Sequence, residues 1–205
     1  MDSIPIHPSI YYYGTPVALI TTVNPDGSAN ISPMSSSFAL ADRVVLGMSE
    51  GGQGLDNLRR QGECVINLPG PALWQEVERL APTTGRQPVP EAKRALGYRF
   101  VPDKFRCAGL TSLNSSRVAP PRIAECPLQL EARLLAGHSA KHEACASRPA
   151  FAILETQVLQ AHAHRDIMIA GTQHIDTAYW QPLLYVFRHY FGTGPRLGRT
   201  FKAVY

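Results

Sequence analysis

The spacing of apolar and polar positions changes several times along the chain, and each change marks an element. Val17 to Val23 is apolar or β-branched throughout, the composition of a buried strand. "NPDG" (Asn24 to Gly27) follows, with Pro25 presetting the turn angle and Gly27 free to take positive φ. Residues 28 to 32 ("SANIS") therefore return as a hairpin partner. Arg43 to Met48 and Glu63 to Leu68 read as two further short buried strands, and "LDNLRRQG" between them as a short helix stopped by Gly62. Residues 72 to 81 place Leu73, Trp74, Val77 and Leu80 on one helical face. Residues 91 to 97 read as another helix, begun by Pro90 and ended by Gly97.

Further along, the period drops to two. "PLQLEARLLA" (residues 127 to 136) predicts a strand with Leu128, Leu130, Ala132 and Leu134 on a core face and Gln129, Glu131 and Arg133 on the other. Residues 150 to 164 read as a long, bent strand. Short strands joined by hairpins, with helices inserted, predict a mainly β chain built as a small antiparallel barrel. The strands do not alternate regularly with helices, which argues against a doubly wound parallel sheet. No linker or repeat divides residues 1 to 205, so a single domain is expected.

Composition adds little to this picture. The chain is 44% apolar and 18% charged, ordinary for a protein with a sizeable core. No apolar run approaches the roughly 20 residues of a membrane helix, and the N-terminal stretch lacks a secretory pattern. Cys64, Cys107, Cys126 and Cys145 are scattered without a CxxC pair, so they are expected as reduced thiols in a cytoplasmic setting. Charge is more informative. Sixteen arginines against four lysines favour bidentate recognition of phosphate or carboxylate. The acid-free stretch holding Arg188, Arg196, Arg199 and Lys202 reads as a solvated basic terminus rather than a nucleic-acid surface.

Several motifs fall short of a site. "GTGPRLG" (192 to 198) lacks the strand-and-helix setting of a dinucleotide fingerprint and contains Pro195. His138, His142 and Cys145 have ligand-like spacing but no fourth partner, and read as a hairpin tip. His162 and His164 share a strand face without completing a metal site. No nucleophile elbow, HExxH helix or phosphate-cradling Walker loop occurs, so any chemistry points to a cofactor.

One region stands apart. The hairpin delivers "SPMSSSF" (32 to 38) at the end of a strand, and "SEGGQGLDN" (49 to 57) opens the first helix. The serines offer hydroxyls and amides to a polar ring edge. The glycines allow close backbone approach, and the helix start can receive a phosphate. Together these read either as two halves of a clamp for a phosphorylated ring cofactor or as a serine-rich turn followed by a glycine-rich loop, each ordinary alone.

At this point the chain resembles the flavin reductase-like, FMN-binding split-barrel family, which includes flavoredoxin-type proteins and reductase components of two-component monooxygenases. The matching stretches are "PVALITTVNPDGSANISPMSSSF", "GMSEGGQGLDNLRRQGECVINLP", "VAPPRIAECPLQLEARL", "VLQAHAH" and "WQPLLYVFRHYFGTGPRLGR", with residues 82 to 105 least distinctive. The resemblance implies an FMN-binding split β-barrel that dimerises, with the flavin near the subunit interface. It makes Met34, Ser35, Ser36, Ser37 and Phe38 contacts of the ring, and Ser49, Gly54, Leu55 and Asn57 contacts of the phosphate. It implies NAD(P)H as co-substrate, hydride transfer to the flavin and delivery of electrons to free flavin or a partner monooxygenase; FAD is a possible substitute for FMN. It places His162 and Tyr190 on the nicotinamide side.

Family members often carry a basic residue just after the position of Ser49, and threonine or serine at the position of Gly54. Here Glu50 and Gly54 stand there, which leaves Arg117 and Arg122 as candidate phosphate arginines. Three rival readings accompany this one: an FMN-binding electron carrier without a nicotinamide site, a nucleic-acid-binding barrel, and a pyridoxamine phosphate-oxidising relative.

Overall fold

In the computed structural model, which describes residues 2–140 and 150–200, "NPDG" closes a hairpin as its sequence predicts. The Gly27 amide donates to the Asn24 carbonyl (3.0 Å) with φ at +86°, and Asp26 accepts from the Ser28 amide (3.0 Å). In chain order the first strands are β1 (Tyr13–Pro16), β2 (Ala18–Val23), β3 (Ala29–Met34), β4 (Ser37–Leu40), β5 (Arg43–Ser49) and β6 (Glu63–Leu68). Four two-residue strands follow: β7 (Thr83–Thr84), β8 (Arg99–Phe100), β9 (Ser112–Leu113) and β10 (Arg122–Ile123). The last four are β11 (Leu128–Ala140), β12 (Phe151–Ala163), β13 (Leu184–Val186) and β14 (His189–Phe191). The helices are α1 (Gln53–Gln61), α2 (Trp74–Leu80), α3 (Glu91–Ala95) and α4 (Lys104–Ala108).

The main sheet has seven strands in the order β3-β2-β6-β11-β12-β5-β4, with every neighbouring pair antiparallel. Laid flat at about 4.8 Å per strand, its two edges would stand roughly 29 Å apart. Yet Met34 ends one edge strand and Ser37 begins the other, a reach of at most about 11 Å. The sheet must therefore curl until its edges meet. Among the described residues β3 and β4 form no ladder with each other, so the expected barrel is a curled sheet left open along one seam.

Inside the curl lie Ile20, Leu46, Ile66 and Leu154, joined by Leu55 and Leu58 from α1. A second core, with Leu19, Ile31, Val77, Leu80 and Ile123, packs α2 and its neighbours on the outside of β2 and β3. Ile20 and Leu19 point in opposite directions along β2, so that strand is buried on both faces.

The helices follow the sequence with adjusted ends. Gly62 takes a left-handed φ of +76° and stops α1. The helix expected over 72 to 81 is a short 3-10 turn at Pro71–Leu73 followed by α2; Val77 and Leu80 are buried while Trp74 is largely exposed. Asp103 caps α4 by accepting the Arg106 amide (3.0 Å), a signal the sequence reading passed over.

One expectation needs correcting. Gln129 and Glu131, expected on the non-core face of β11, are buried at 1% and 0% exposure. The chain between α4 and β11 folds back over that face and supplies polar partners. Gln129 Nε2 donates to the carbonyls of Ile123 (3.0 Å) and Cys126 (2.7 Å). Glu131 accepts from the Ser116 and Arg117 amides (2.9 and 2.6 Å) and lies 2.6 Å from His162 Nε2. Alternation marked a strand with two different faces, and the polar one is covered too.

The β11–β12 ladder slips register twice, once at Glu131/Ala132 and once at Leu134/Ala136. Such bulges bend strands, in line with the bent strand expected over 150 to 164. Cys64 and Cys126 are buried and Cys107 is partly buried, all as free thiols; Cys145 and His142 lie outside the described residues. Burial pushes the Cys64 thiol up to about 12. Among the described residues no three His, Cys, Asp or Glu side chains gather as a metal site, and no helix is long and apolar enough to cross a membrane. Residues 192 to 198 follow β14 with no helix, so the glycine fingerprint has no phosphate-binding setting.

Candidate functional site

The seam of the curled sheet is where "SPMSSSF" lies. Pro33 and Met34 finish β3, Ser37 and Phe38 start β4, and only Ser35 and Ser36 form the link. β5 fixes that link, since the Gly47 amide donates to the Ser36 carbonyl (2.7 Å). A Cβ at residue 47 would come within 3.1 Å of Ser36 Cβ, which is why glycine lets the strand approach. Ser36 Oγ also shares a hydrogen bond with the Tyr12 hydroxyl (2.9 Å).

A cavity of about 390 Å³ opens beside the link. Its floor is the stretch Ser32 to Ser36 with Gly47 to Ser49 of β5, and its far end is the start of α1, Gly52 to Leu55. Tyr12, Tyr185 and Tyr190 make an aromatic wall, with ring centroids 5.5 Å apart for the first pair and 5.7 Å for the second. Burial raises the Tyr190 phenol pKa, and its hydrogen bond to Glu78 (3.0 Å) raises it further, keeping the hydroxyl neutral. Thr83, Thr84, Gly85, Lys93, Tyr98 and Lys104 close the opposite side.

The helix start presents open donors. Leu55 and Leu58 anchor α1 in the core, so its first turn is held at the cavity while Gly52, its N-cap, offers no side chain. The first intrahelical bond runs from the Asp56 amide to the Gly52 carbonyl (3.1 Å). The amides of Gln53, Gly54 and Leu55 precede it and have no helical acceptor, at the positive end of the helix dipole.

Glu50 is turned elsewhere. Its carboxylate takes both Arg59 guanidinium nitrogens at 2.7 Å and the Ser139 hydroxyl at 3.1 Å, and it does not line the cavity. Arg59 holds this carboxyl below the usual carboxylate range. Asp56, in the first turn of α1, is likewise paired, with Arg86 at 2.5 Å. Both acids near the helix start are thereby neutralised by arginines.

Met34, Ser35, Ser36, Ser49, Gly54 and Leu55 of the expected site residues line this one cavity. Ser37 and Phe38 adjoin it on β4 without lining it, and Phe38 is 56% exposed. Asn57 is buried one turn into α1. It donates to Thr22 Oγ1 (3.1 Å) and Asn24 Oδ1 (2.8 Å), tying the helix to the hairpin. Arg117 is exposed and outside the cavity lining, with its backbone fastened to Glu131. Arg122 is held by Asn114 O (3.0 Å) and Gln129 Oε1 (2.9 Å). Tyr190 joins the cavity, while His162 stays with Glu131 and His164 bonds the Ala124 carbonyl (2.8 Å).

Sequence reading missed one whole wall. Thr83 to Gly85, Lys93, Tyr98 and Lys104 come from the stretch that carries the least pattern, and only the Asp103 cap hinted that Lys104 sits on a helix. Lys104 is 3% exposed, and its Nζ donates to the Ile31 carbonyl at 2.7 Å. Burial, with Lys93 nearby, lowers its pKa to about 8.

This fold and cavity belong to a known class. The model of the flavin reductase-like domain matches residues 10–194, and the chain belongs to that family. YdfE, an uncharacterized protein of Bacillus subtilis, is 47% identical over 198 residues, 97% of this chain and 93% of its own length. Among solved structures, flavoredoxin of Desulfovibrio vulgaris (Miyazaki F) superposes with a TM-score of 0.78 at 18% identity, over 99% of both chains. Component B of nitrilotriacetate monooxygenase from Bacillus cereus gives 0.71 at 18% identity, over 94% of this chain and 89% of that one. These structures share the fold. Family membership implies an FMN-binding function of flavin reductase type.

Proposed function

We propose that the chain binds FMN in the seam cavity and works as an NAD(P)H-dependent flavin oxidoreductase that passes electrons to free flavin or to a partner monooxygenase. The observation that carries this reading is that one cavity joins the Ser35–Ser36 link to the open amides of α1. The residues fit such a group: hydroxyls and amides for a polar ring edge, three tyrosines for a flat ring, and a helix start for a phosphate. When bound, FMN would supply the acceptor for a hydride from the nicotinamide.

The chain itself binds, orients and excludes water. No histidine, cysteine or carboxylate lines the cavity among the described residues, which suits chemistry carried by a cofactor. Met34, Ser35 and Ser36, with Ser37 and Phe38 beside them, serve the ring. Ser49, Gly54 and Leu55 serve the phosphate, and Asn57 secures the helix that presents it. The same proposal takes the protein as a cytoplasmic homodimer with the flavin near the subunit interface.

Purified protein reconstituted with FMN should show the absorbance bands of oxidised flavin and should oxidise NADH or NADPH in steady state with added FMN. A colourless protein after reconstitution overturns the cofactor reading. A yellow protein that oxidises neither nucleotide is instead an electron carrier served by another protein.

A further inference from the structure

A second recess, of about 380 Å³, adjoins the aromatic wall. Pro71 and Trp74 line one side of it and His189 to Gly192 the other, and Leu183, fully buried, makes the floor. Trp74 and Phe191 stand 46% and 51% exposed, although burying such rings is among the larger gains a side chain offers. Gly192 keeps the recess open, since a Cβ there would come within 3.2 Å of Pro71 Cγ. Among the described residues no Asp, Glu, Lys or Arg lines it.

The strand edge adds a polar group. β14 is an edge strand of the small sheet β1-β13-β14, and Phe187 and Arg188, both at positive φ, make the two-residue turn before it. In such a hairpin the closing pair, Val186 and His189, carries ladder bonds and the next pair, Tyr185 and Tyr190, does not. The Tyr190 amide and carbonyl therefore face the open edge. Flat rings and an uncharged lining suit a neutral aromatic molecule, and an amide at the edge suits a ring carbonyl. The recess also shares Tyr190 with the seam cavity. The Tyr185 ring lies 5.7 Å from that of Tyr190 on the cavity side, and the Trp74 ring 6.4 Å away on the recess side. One side chain thus separates the two spaces. A hydride cannot cross it, because its donor and acceptor must approach to about 3 to 3.5 Å, but single electrons can.

We propose that this recess seats a neutral quinone, and that electrons leave the seam cavity for it across Tyr190. The assignment rests on the flavin reading for its electron source, but not for its ring binding. In the balanced step two electrons leave a reduced flavin and two protons pass from it to water. The quinone gains two electrons, and two protons from water at the open edge, so that both C=O groups become C–OH. Tyr190 is the bridge and is itself unchanged. Trp74 and Phe191 hold the acceptor ring.

The first arm of the test needs no flavin. The chain has two tryptophans, so Trp180→Phe leaves Trp74 as the reporter. Its fluorescence is titrated with 2,3-dimethyl-1,4-naphthoquinone, whose substituted ring resists addition of thiols. Quenching should saturate, and Phe191→Ala should weaken the binding about tenfold, as for loss of a ring contact. The second arm uses FMN-loaded protein with NADH or NADPH. Trp74→Ala and Phe191→Ala should raise KM for the quinone about tenfold and leave reduction of added FMN within about twofold, since neither lines the seam cavity. Quenching that does not saturate, or that ignores Phe191→Ala, overturns the ring site. So does Trp74 emission that shifts with protein concentration before quinone is added, because a second copy then covers the recess. If quinone binds and FMN is reduced but quinone is not, or if its KM ignores both changes, or if both reductions fall together, the route across Tyr190 is overturned and the flavin reading stands. If the protein takes up no flavin yet Trp74 quenching saturates, the ring site stands and the flavin reading falls together with the route. Circular dichroism checks each fold, and should Trp74→Ala fail to fold, Phe191→Ala decides both arms.

Discussion

Ser32 Oγ occupies the space in which residue 54 would carry a Cβ. The helix that presents its amides to the cavity therefore sits directly on the strand that leads to the serine link, and only glycine permits that approach. Glycine at this position is a packing requirement, with Ser32 supplying a hydroxyl at the same place from the other side.

Gly54→Ser should destabilise the fold by about 2 kcal/mol through overpacking against Ser32 and Met48. Pairing it with Ser32→Gly should recover most of that loss. Urea midpoints of the four proteins in the cycle provide the check, and a Gly54→Ser protein as stable as wild type would contradict the packing.

Glu50→Gln should leave FMN affinity within about threefold and stability within about 1 kcal/mol, because the carboxylate is committed to Arg59 and Ser139 near the surface. A gain in FMN affinity of tenfold or more would mean that Glu50 opposes the phosphate after all. Titration of the purified variant measures this directly.

Ser36→Leu should weaken FMN binding at least about tenfold while the melting temperature changes little, since a branched side chain would project from the link into the cavity. Loss of the Tyr12 hydroxyl contact is the smaller effect. Falling stability with unchanged affinity would instead make the link a packing element.

Lys104 gives a pH signature. Its folded pKa, about 8, lies below its ordinary value of 10.5, so the unfolded chain holds more protons between those values. Stability of the ligand-free protein should accordingly rise as pH goes from 8 towards 10, by up to about 3 kcal/mol of which part is lost to solvent relaxation. Lys93 on α3 and Cys107 on α4 act on the same group, and Tyr190 titrates above this window. The difference between wild type and Lys104→Met, measured by urea unfolding at each pH, isolates the contribution.

Glu131 should give a dependence of the same sign in an acidic window. Burial disfavours its charged form, but the Ser116 and Arg117 amides, His162 and the Ser116 hydroxyl outweigh burial and lower its pKa below 4.5. The stability it contributes is present above that value and is lost as pH falls through the folded pKa. Glu131→Gln should flatten the acid limb of the stability profile, and Glu131→Ala should cost about 3 kcal/mol near neutrality by orphaning two amides.

The strands, the first hairpin and α1 were legible because each carries its own period and its own stop, as Gly27 and Gly62 show. "SPMSSSF" and "SEGGQGLDN" are each ordinary alone; their order along the chain and the family resemblance tied them together, and residues of both line one cavity. The tyrosine wall was not, since Tyr12, Tyr185 and Tyr190 are brought together by pairing of β1, β13 and β14 across most of the chain. Lys93 and Lys104 sit in short helices with little periodicity, where local pattern says nothing of what the chain folds against. Glu131 misled for a related reason: alternation reports that two faces differ, and a covering loop can bury the polar one.

The unpaired seam between β3 and β4 leaves a strip of peptide groups that owe nothing to the sheet's own ladders. A ligand in the cavity beside it would meet the end of β3, the Ser35–Ser36 link and β5 without displacing a strand. Substitutions along the strip then alter what is held while the seven-stranded framework stays zipped, so one scaffold can change its guest by rewriting a few adjacent residues.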